Sequence, residues 1–386
     1  MVPETHAPTI GEVISLVRGT TYKSALLGQP GPVLLGLASI QRNGGFRDDS
    51  LKTYGGESKR NQLLKPGDLF VSLKDVTQSA DLLGAVARVP ASVASGRLTQ
   101  DTVKLDFGNN EYPRDLVYWT LRTPQYRAYC RGHSTGTTNL GLPREDFLAY
   151  RLPAPTSDAL SLVEALEALD DRVANLRQTN ATLQAIAAAL FKSRFVDFDG
   201  VPPEDMQESE LGLIPKGWRA GTLADLCELK YGKALKATER RKGEVPVYGS
   251  GGITGFHDKA LITKPTIIVG RKGTVGSLYW QSEPCFPIDT VFYVESKVSL
   301  NFCYHAMMLM GLHNLNTDAA VPGLNRDNAY RQSVVIPGAE ALQEWDAIAS
   351  SIRARIDAAD QQAATLAALR DTLLPRLISG QLRVPQ

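Results

Sequence analysis

Hydrophobic residues recur with a helical period in two long segments of the chain, 183 residues apart. In the first segment, every seventh position is a leucine: Leu162, Leu169, Leu176, Leu183 and Leu190. In the second segment, the corresponding positions are Trp345, Ile352, Ala359, Leu366 and Leu373. Heptad spacing of this kind is typical of coiled-coil helices. We therefore predict two long helices that pair with each other in an antiparallel coiled coil.

One polar residue interrupts the apolar positions of the first predicted helix. Asn180 falls where the heptad pattern places a core residue. A buried asparagine lowers the stability of a coiled coil but selects the register in which it meets a polar partner. We expect Asn180 to have this role. The alternative is that each long helix packs only on its own globular segment.

A turn-rich segment with short β-type runs precedes each long helix. The first has such runs at Val33–Leu37, Leu69–Leu73, Leu83–Val89 and Val103–Phe107, and a short helix is predicted at Leu116–Tyr129. In the second, Thr266–Val269 and Ser277–Trp280 predict a β-hairpin with a basic, glycine-bounded tip, whereas the glycine-rich tract from Tyr248 to Gly255 is typical of a loop. Lys65–Ser72 is similar to Ile262–Val269. The chain thus predicts an α+β fold with an internal pseudo-repeat.

These features divide the chain into five predicted parts. Two similar globular domains, which we call head one and head two, are joined by the two long helices. The predicted ranges are 1–156 for head one, 157–199 for the central helix, 200–214 for an acidic linker, 215–338 for head two and 339–386 for the C-terminal helix.

The charge of the chain is distributed unevenly. The formal net charge is only +1. Residues 1–156 hold 18 Lys and Arg against 14 Asp and Glu, a balance of +4, and residues 215–337 hold 15 against 10, a balance of +5. The linker 200–214 has four acidic residues and no basic one. Basic heads on acidic helices are compatible with nucleic-acid binding by the heads.

The sequence carries few signs of catalysis, metal binding or export. The four cysteines are widely spaced, without a CxxC pair, and the five histidines form no ligand spacing, so we expect reduced thiols and no metal site. No run reaches 18 consecutive apolar residues, and Pro3, Glu4 and Pro8 stand where a signal peptide needs an apolar run. We expect a cytoplasmic protein with no membrane partner.

Two short motifs superficially match catalytic or nucleotide sites. Asp289, Glu295 and Lys297 match the two carboxylates and lysine of many Mg²⁺-dependent nucleases, which need both carboxylates on one cation. Gly270–Gly276 follows a strand as a phosphate loop does, but lacks the GxxxxGK[ST] spacing and precedes a strand. Neither motif predicts catalysis strongly.

The whole chain resembles the specificity (S) subunits of type I restriction-modification systems. In head two the resemblance lies in Ile214–Trp218, Tyr248-Gly249, Ile267–Gly273 and Pro287–Thr290, and at the end of the chain in Leu369–Gly380. In head one, Leu37–Ile40, Gly44–Phe46 and Ser134–Thr138 are compatible with the family, whose recognition domains vary widely.

The resemblance implies a non-catalytic subunit in which two target recognition domains each read half of a split DNA target. The implied partners are double-stranded DNA, two methyltransferase subunits with S-adenosylmethionine, and restriction subunits that use ATP and Mg²⁺; the chain itself would hold no cofactor. Arginine and lysine reach guanine edges or phosphates, and asparagine pairs with adenine. On these grounds the candidate DNA contacts are Arg42, Asn43, Arg47, Lys74 and Asn139 in head one, and Lys233, Arg271, Lys272 and Arg326 in head two.

Two other functions are compatible with the sequence. A coiled-coil adaptor could use the heads to hold peptides, and salt-sensitive binding to duplex DNA distinguishes the two functions. The third hypothesis is a nuclease built on Asp289, Glu295 and Lys297. Cleavage with Mg²⁺ and without any partner would identify it.

Overall fold

A computed structural model describes residues 7–137, 139–315 and 323–379. Pro3, Glu4, Thr138 and Gly380, named above, lie outside these ranges. The chain divides into two compact units, one of residues 1–174 and 363–386 and the other of residues 175–362. Each long helix therefore has residues in both units.

Head one combines short strands with four short helices before the first long helix begins. Its strands are β1 (Ser15–Arg18), β2 (Val33–Leu35), β3 (Leu63–Leu64), β4 (Leu69–Ser72), β5 (Lys74–Asp75), β6 (Val86–Arg88), β7 (Gly96–Leu98), β8 (Thr102–Asp106) and β9 (Leu140–Gly141). Its helices are α1 (Ile10–Val13), α2 (Arg114–Thr120), α3 (Pro124–Gly132) and α4 (Arg144–Ala149), and the long helix α5 (Ser157–Phe195) follows.

Head two is similarly built and precedes the second long helix. Its strands, with those of the segment before it, are β10 (Met206–Ser209), β11 (Gly212–Pro215), β12 (Arg219–Thr222), β13 (Cys227–Tyr231), β14 (Val245–Gly249), β15 (Gly252–His257), β16 (Thr266–Gly270), β17 (Leu278–Gln281), β18 (Phe286–Pro287), β19 (Val291–Ser296) and β20 (Ser333–Ile336). Its helices are α6 (Leu223–Leu226), α7 (Leu300–Leu309) and α8 (Arg326–Tyr330), followed by α9 (Ala339–Leu373) and α10 (Arg376–Ser379).

The main sheets of the two heads have the same strand order. In head one the antiparallel order is β1-β8-β4-β6, and in head two it is β13-β19-β16-β17. A short helix with the same cap precedes each first strand: the Thr9 amide donates to Glu12, and the Thr222 amide donates to Asp225. The similar segments 65–72 and 262–269 lead into the equivalent central strands β4 and β16. The internal repeat is therefore present in the fold.

Three predicted elements differ from the structure. The helix predicted at Leu116–Tyr129 is two helices, because Pro124 begins α3 and the Thr123 side chain caps it by accepting a bond from the Tyr126 amide. The acidic linker 200–214 contains the paired strands β10 and β11. The glycine-rich tract from Tyr248 to Gly255 lies in the β14–β15 hairpin rather than in a loop, with Gly252 at a positive φ of 102°.

Within each unit, the segments of α5 and α9 run antiparallel. In the first unit, Asp170 bonds with Arg370 of α9, and Leu162, earlier on α5, lines the same cavity as Leu377 of α10, which follows α9. In the second unit, Asn180 bonds with Asp360, and Arg194, farther along α5, bonds with Glu344, which precedes Asp360 on α9.

The predicted seam of apolar residues follows the buried face of both helices except at one position. Leu162 and Leu176 are buried and Leu169 and Leu183 half-buried in α5; in α9, Ala359 is buried and Ile352, Leu366 and Leu373 are half-buried. Leu190 is 45% exposed, so its prediction as a seam residue is wrong. The buried positions after Ala187 are Phe191 and Phe195. A helix with 3.6 residues per turn drifts from a strict heptad, and here these two phenylalanines pack with Phe302 and Trp345 instead.

Asn180 is buried and has polar partners on α9. Its Nδ2 donates to the Ile356 carbonyl at 3.2 Å and to the Asp360 carboxylate at 2.8 Å. Its Oδ1 is buried without a hydrogen-bond partner among the described residues. The side-chain amide of Asn180 is thus hydrogen-bonded to one turn of α9, and its oxygen atom is left unsatisfied.

Replacing Asn180 with leucine should stabilise the protein and weaken the selection of register. An unsatisfied buried polar atom costs roughly 1–3 kcal/mol, so we expect Asn180→Leu to raise the free energy of unfolding by about 1 kcal/mol. Chemical denaturation measures this change, with Thr179→Leu at the exposed neighbouring position as the control. A destabilisation by Asn180→Leu would show that the two bonds outweigh the unsatisfied oxygen.

Candidate nucleic-acid interface

Two arginines of head two flank one exposed tyrosine. Tyr231 ends β13 and is 52% exposed. The guanidinium carbons of Arg271, which follows β16, and of Arg326, which begins α8, lie 5.2 Å and 5.3 Å from the centre of its ring. Cations at this distance from an aromatic ring are attracted to its face. The fold therefore brings two sequence-predicted contacts, 55 residues apart in the chain, onto one side chain.

Hydrogen bonds hold Arg271 in its orientation. Arg271 donates from Nη2 to the Asp289 carbonyl at 2.5 Å, and its main-chain amide donates to the Thr290 carbonyl. The Nε atoms of Arg271 and Arg326 are buried without a hydrogen-bond partner among the described residues. A guanidinium held in this way presents its remaining donors in a fixed plane, which suits phosphate or guanine.

The two predicted lysines of head two lie beside this cluster in the chain. Lys272 pairs with Gly323 across a short bridge, and Lys233 follows Tyr231 by two residues, with its amide bonded to the Pro287 carbonyl at 3.0 Å. Both residues are exposed. Lys233 thus follows β13, Arg271 and Lys272 follow β16, and Arg326 begins α8.

In head one, Arg42 and Asn43 lie in a turn next to Asp81. The Arg42 side chain is 81% exposed and lies 4.0 Å from the Asp81 carboxylate. Asn43 adopts a positive φ of 62°, a conformation that asparagine tolerates better than most residues, and its amide donates to the Asp81 carbonyl at 2.8 Å. The turn therefore exposes Arg42 while holding the Asn43 backbone.

The other predicted contacts of head one are exposed, and two of them are paired with acids. Arg47 forms a bidentate pair with Asp49, and the hydrogen bond and charge of that carboxylate raise the pKa of Arg47. Lys74 lies 3.4 Å from Asp101. Asn139 is exposed and precedes β9. Exposed pairs of this kind contribute little energy, so DNA phosphates can compete for the cations.

One exposed loop of head one lies between two predicted strands and contains none of the predicted DNA contacts. Residues 76–79 are exposed, and Val76 is 62% exposed although it is apolar. Buried Asp75 accepts bonds from the amides of Thr77 and Leu82. Buried Arg127 donates to the carbonyls of residues 80, 81 and 83. Only the fold reveals how this loop is anchored, because its two anchors are far apart in sequence.

The acidic residues of the nuclease hypothesis do not converge. Asp289 precedes β19, and Glu295 lies near the end of that strand. The strand residues from Val291 to Glu295 alone span about 13 Å. Glu295 is 3.7 Å from Lys230, and Lys297 donates to the Ala224 carbonyl. These carboxylates therefore do not form a site for a single cation.

Two features are absent from the described residues: a cluster of metal ligands and a helix that could cross a bilayer. Across residues 7–137, 139–315 and 323–379, no three His, Cys, Asp or Glu side chains are grouped to hold a metal ion. In the same residues, no helix combines the length and apolar character needed to span a bilayer.

Comparisons with known proteins point to one family. Residues 215–351 match the family model of the type I restriction modification DNA specificity domain. The chain is 22% identical over 332 residues to the MjaIX type I restriction enzyme specificity subunit of Methanocaldococcus jannaschii, covering 78% of this chain and 75% of that protein. It is also 22% identical over 307 residues to the HindI specificity subunit of Haemophilus influenzae, covering 57% of this chain and 66% of that protein.

A solved structure shares the fold over nearly the full chain. The type I restriction-modification S subunit from M. genitalium superposes with a TM-score of 0.57 and 18% sequence identity, covering 97% of this chain and 96% of that one.

Proposed function

We propose that this chain, which belongs to the specificity subunits of type I restriction-modification systems, reads a bipartite DNA target with one head on each half-site. Similarity to this family supports DNA sequence recognition. The matched range 215–351 includes the cluster of Tyr231, Arg271 and Arg326. The equal strand order of the two heads supports a second recognition domain in head one. The loops of the two heads differ although their main sheets have the same strand order, so each head can recognise a different half-site.

In this proposal the chain has no catalytic activity of its own. Asp289 precedes β19 and Glu295 lies near the far end of that strand, an arrangement that argues against metal-dependent cleavage by this chain. Two methyltransferase subunits with S-adenosylmethionine and restriction subunits with ATP and Mg²⁺ would supply the chemistry. The chain would select the DNA on which these partners act.

A map of modified adenines tests the proposal. The chain is expressed with its methyltransferase subunits in a host free of other adenine modification, and the modified positions are sequenced. We expect one split motif with a fixed gap, and its loss when the chain is omitted. Modification that is independent of the chain, or a single continuous motif, would contradict reading by two heads.

A second pair of variants assigns the half-sites. Exchange of the exposed residues 76–79 for glycine and serine should alter or abolish recognition of one half only, because this loop belongs to head one. Replacement of exposed Thr274, in the turn between β16 and β17 of head two, with glycine should affect the other half. If either exchange changed both halves, one head would not read one half-site.

A further inference from the structure

The two heads carry the same short Gly-Leu-x-Arg segment at the same place in their sheets. In head one it is Gly141–Arg144, and in head two it is Gly323–Arg326. In each head, a lysine two residues beyond the central strand pairs with the glycine. We call each segment, with its lysine Lys74 or Lys272, a basic corner.

Backbone hydrogen bonds establish this equivalence residue by residue. Lys74 pairs with Gly141, and Lys272 pairs with Gly323. The next residue bonds in the same way: the Leu142 amide donates to the Leu73 carbonyl at 2.9 Å, and the Leu324 amide donates to the Arg271 carbonyl at 2.8 Å. The arginine then begins a short helix in both heads, α4 and α8.

Both corners lie at the same end of the central strands of the main sheet. In head one, Ser72 at the end of β4 pairs with Thr102 at the start of β8, and Arg18 pairs with the next residue of β8. In head two, Gly270 at the end of β16 pairs with Val291 at the start of β19, and Tyr231 pairs with the next residue of β19. Arg18 and Tyr231 thus occupy equivalent positions beside the corners.

Each corner presents at least two cations to solvent. In head one, Arg144 and Arg18 are exposed, and the Lys74 side chain is 53% exposed in a weak pair with Asp101. In head two, Lys272 is exposed and Arg326 is half-buried against Tyr231. Across the described residues, no ion pair within 4.0 Å involves Arg144, Lys272 or Arg326. These cations are available to an anionic ligand.

The segments next to the corners differ between the heads. After Lys74 the chain enters the anchored loop 76–79, whereas after Lys272 it makes the short turn that leads to β17. A feature retained while its surroundings diverged should bind what the two half-sites have in common. Two different half-sites differ in their bases and share the phosphate backbone, to which half or more of protein–DNA hydrogen bonds are made.

We propose that each basic corner binds phosphate groups of the DNA backbone and positions its head, while other loops read the bases. The proposal rests on the proposed function and assigns a sequence-independent contact within it. Arg144 and Arg326 are the principal ligands, since arginine matches phosphate with two parallel donors.

Equilibrium binding of the chain in complex with its methyltransferase subunits tests this assignment. The probes are two labelled duplexes of equal length, one with the recognised sequence from the modification map and one with both half-sites scrambled. Arg144→Gln and Arg326→Gln should each weaken binding to both duplexes by the same factor, about 10-fold. The slope of log K against log salt should become less negative by about 0.9 for each phosphate group that the variant no longer binds.

Matched variants control for general charge and folding. Arg131→Gln and Arg331→Gln remove exposed arginines of the same heads outside the corners and should change affinity far less. Arg326→Lys keeps the charge beside Tyr231 and should recover much of the affinity. If Arg326→Gln lowers the unfolding temperature, its weaker binding could come from misfolding. Arg144→Gln, at an exposed position, then tests the assignment by itself.

The outcomes separate this inference from the proposed function. Weaker binding to the recognised duplex alone would overturn the phosphate assignment, because the corner would then read bases. Effects no larger than those of the control arginines would also overturn it. If the wild-type complex bound both duplexes equally, sequence recognition itself would fail, whereas a reduced salt slope in the variants would still support the phosphate contact.

Discussion

Replacing Glu167 with alanine should destabilise the first unit by about 3 kcal/mol, because several partners lose their acceptor together. Arg88 donates to both carboxylate oxygens of Glu167, at 2.7 Å and 2.8 Å, and Trp119 donates to one of them at 2.6 Å. Burial acts to lower the pKa of Arg88, but the hydrogen bond and charge of Glu167 raise it above its usual value. The guanidinium would remain charged without this acid.

Urea denaturation followed by circular dichroism measures the Glu167 effect. Arg88 would retain Asp115 at 3.0 Å, and both members of the main pair are 25% exposed, so the loss should fall below that of a fully buried pair. Glu164→Ala, one turn earlier on α5 and exposed, is the control and should change stability by less than about 0.5 kcal/mol. Equal effects of the two variants would show that the Arg88 and Trp119 bonds are energetically unimportant.

Replacing Trp345 with alanine should destabilise the second unit by about 3–5 kcal/mol. Trp345 is 1% exposed, and its ring centre lies 5.0 Å from His305, 5.3 Å from Phe191 and 5.7 Å from Phe195. Burial lowers the pKa of His305, as expected for a neutral side chain in a dry aromatic cluster. Alanine would leave a cavity that these rings cannot easily fill.

A second substitution at the same position separates packing from hydrogen bonding. The Nε1 of Trp345 is buried without a hydrogen-bond partner among the described residues, so Trp345→Phe removes an unsatisfied donor along with some volume. We expect it to cost less than about 1.5 kcal/mol. Ile348→Ala, 41% exposed on the same helix, is the control. A large loss in Trp345→Phe, measured by the same denaturation, would indicate an unrecognised partner of the indole.

Heptad spacing predicted the long helices and most of their buried positions, because a helix repeats its face along the sequence. It failed at Leu190, where Phe191 is buried instead, since the residues that cover the end of α5 come from head two and from α9. No local pattern contains that information. Pro124 also divides the helix predicted at Leu116–Tyr129, because proline begins a new helix and does not continue the preceding one. Hydrophobic periodicity alone does not include this restriction.

Sequence features alone determined the two similar heads, the paired helices and the resemblance to DNA specificity subunits, because these depend on periodicity and on motifs continuous in the chain. Tertiary structure decided which charged residues come together. Arg271 and Arg326 meet at Tyr231 because pairing through β19 brings the ends of β13 and β16 together, and the bridge between Lys272 and Gly323 places the start of α8 beside them. Gly-Leu-x-Arg is too short to stand out in a sequence, and its equivalence in the two heads follows from hydrogen bonds between segments distant along the chain.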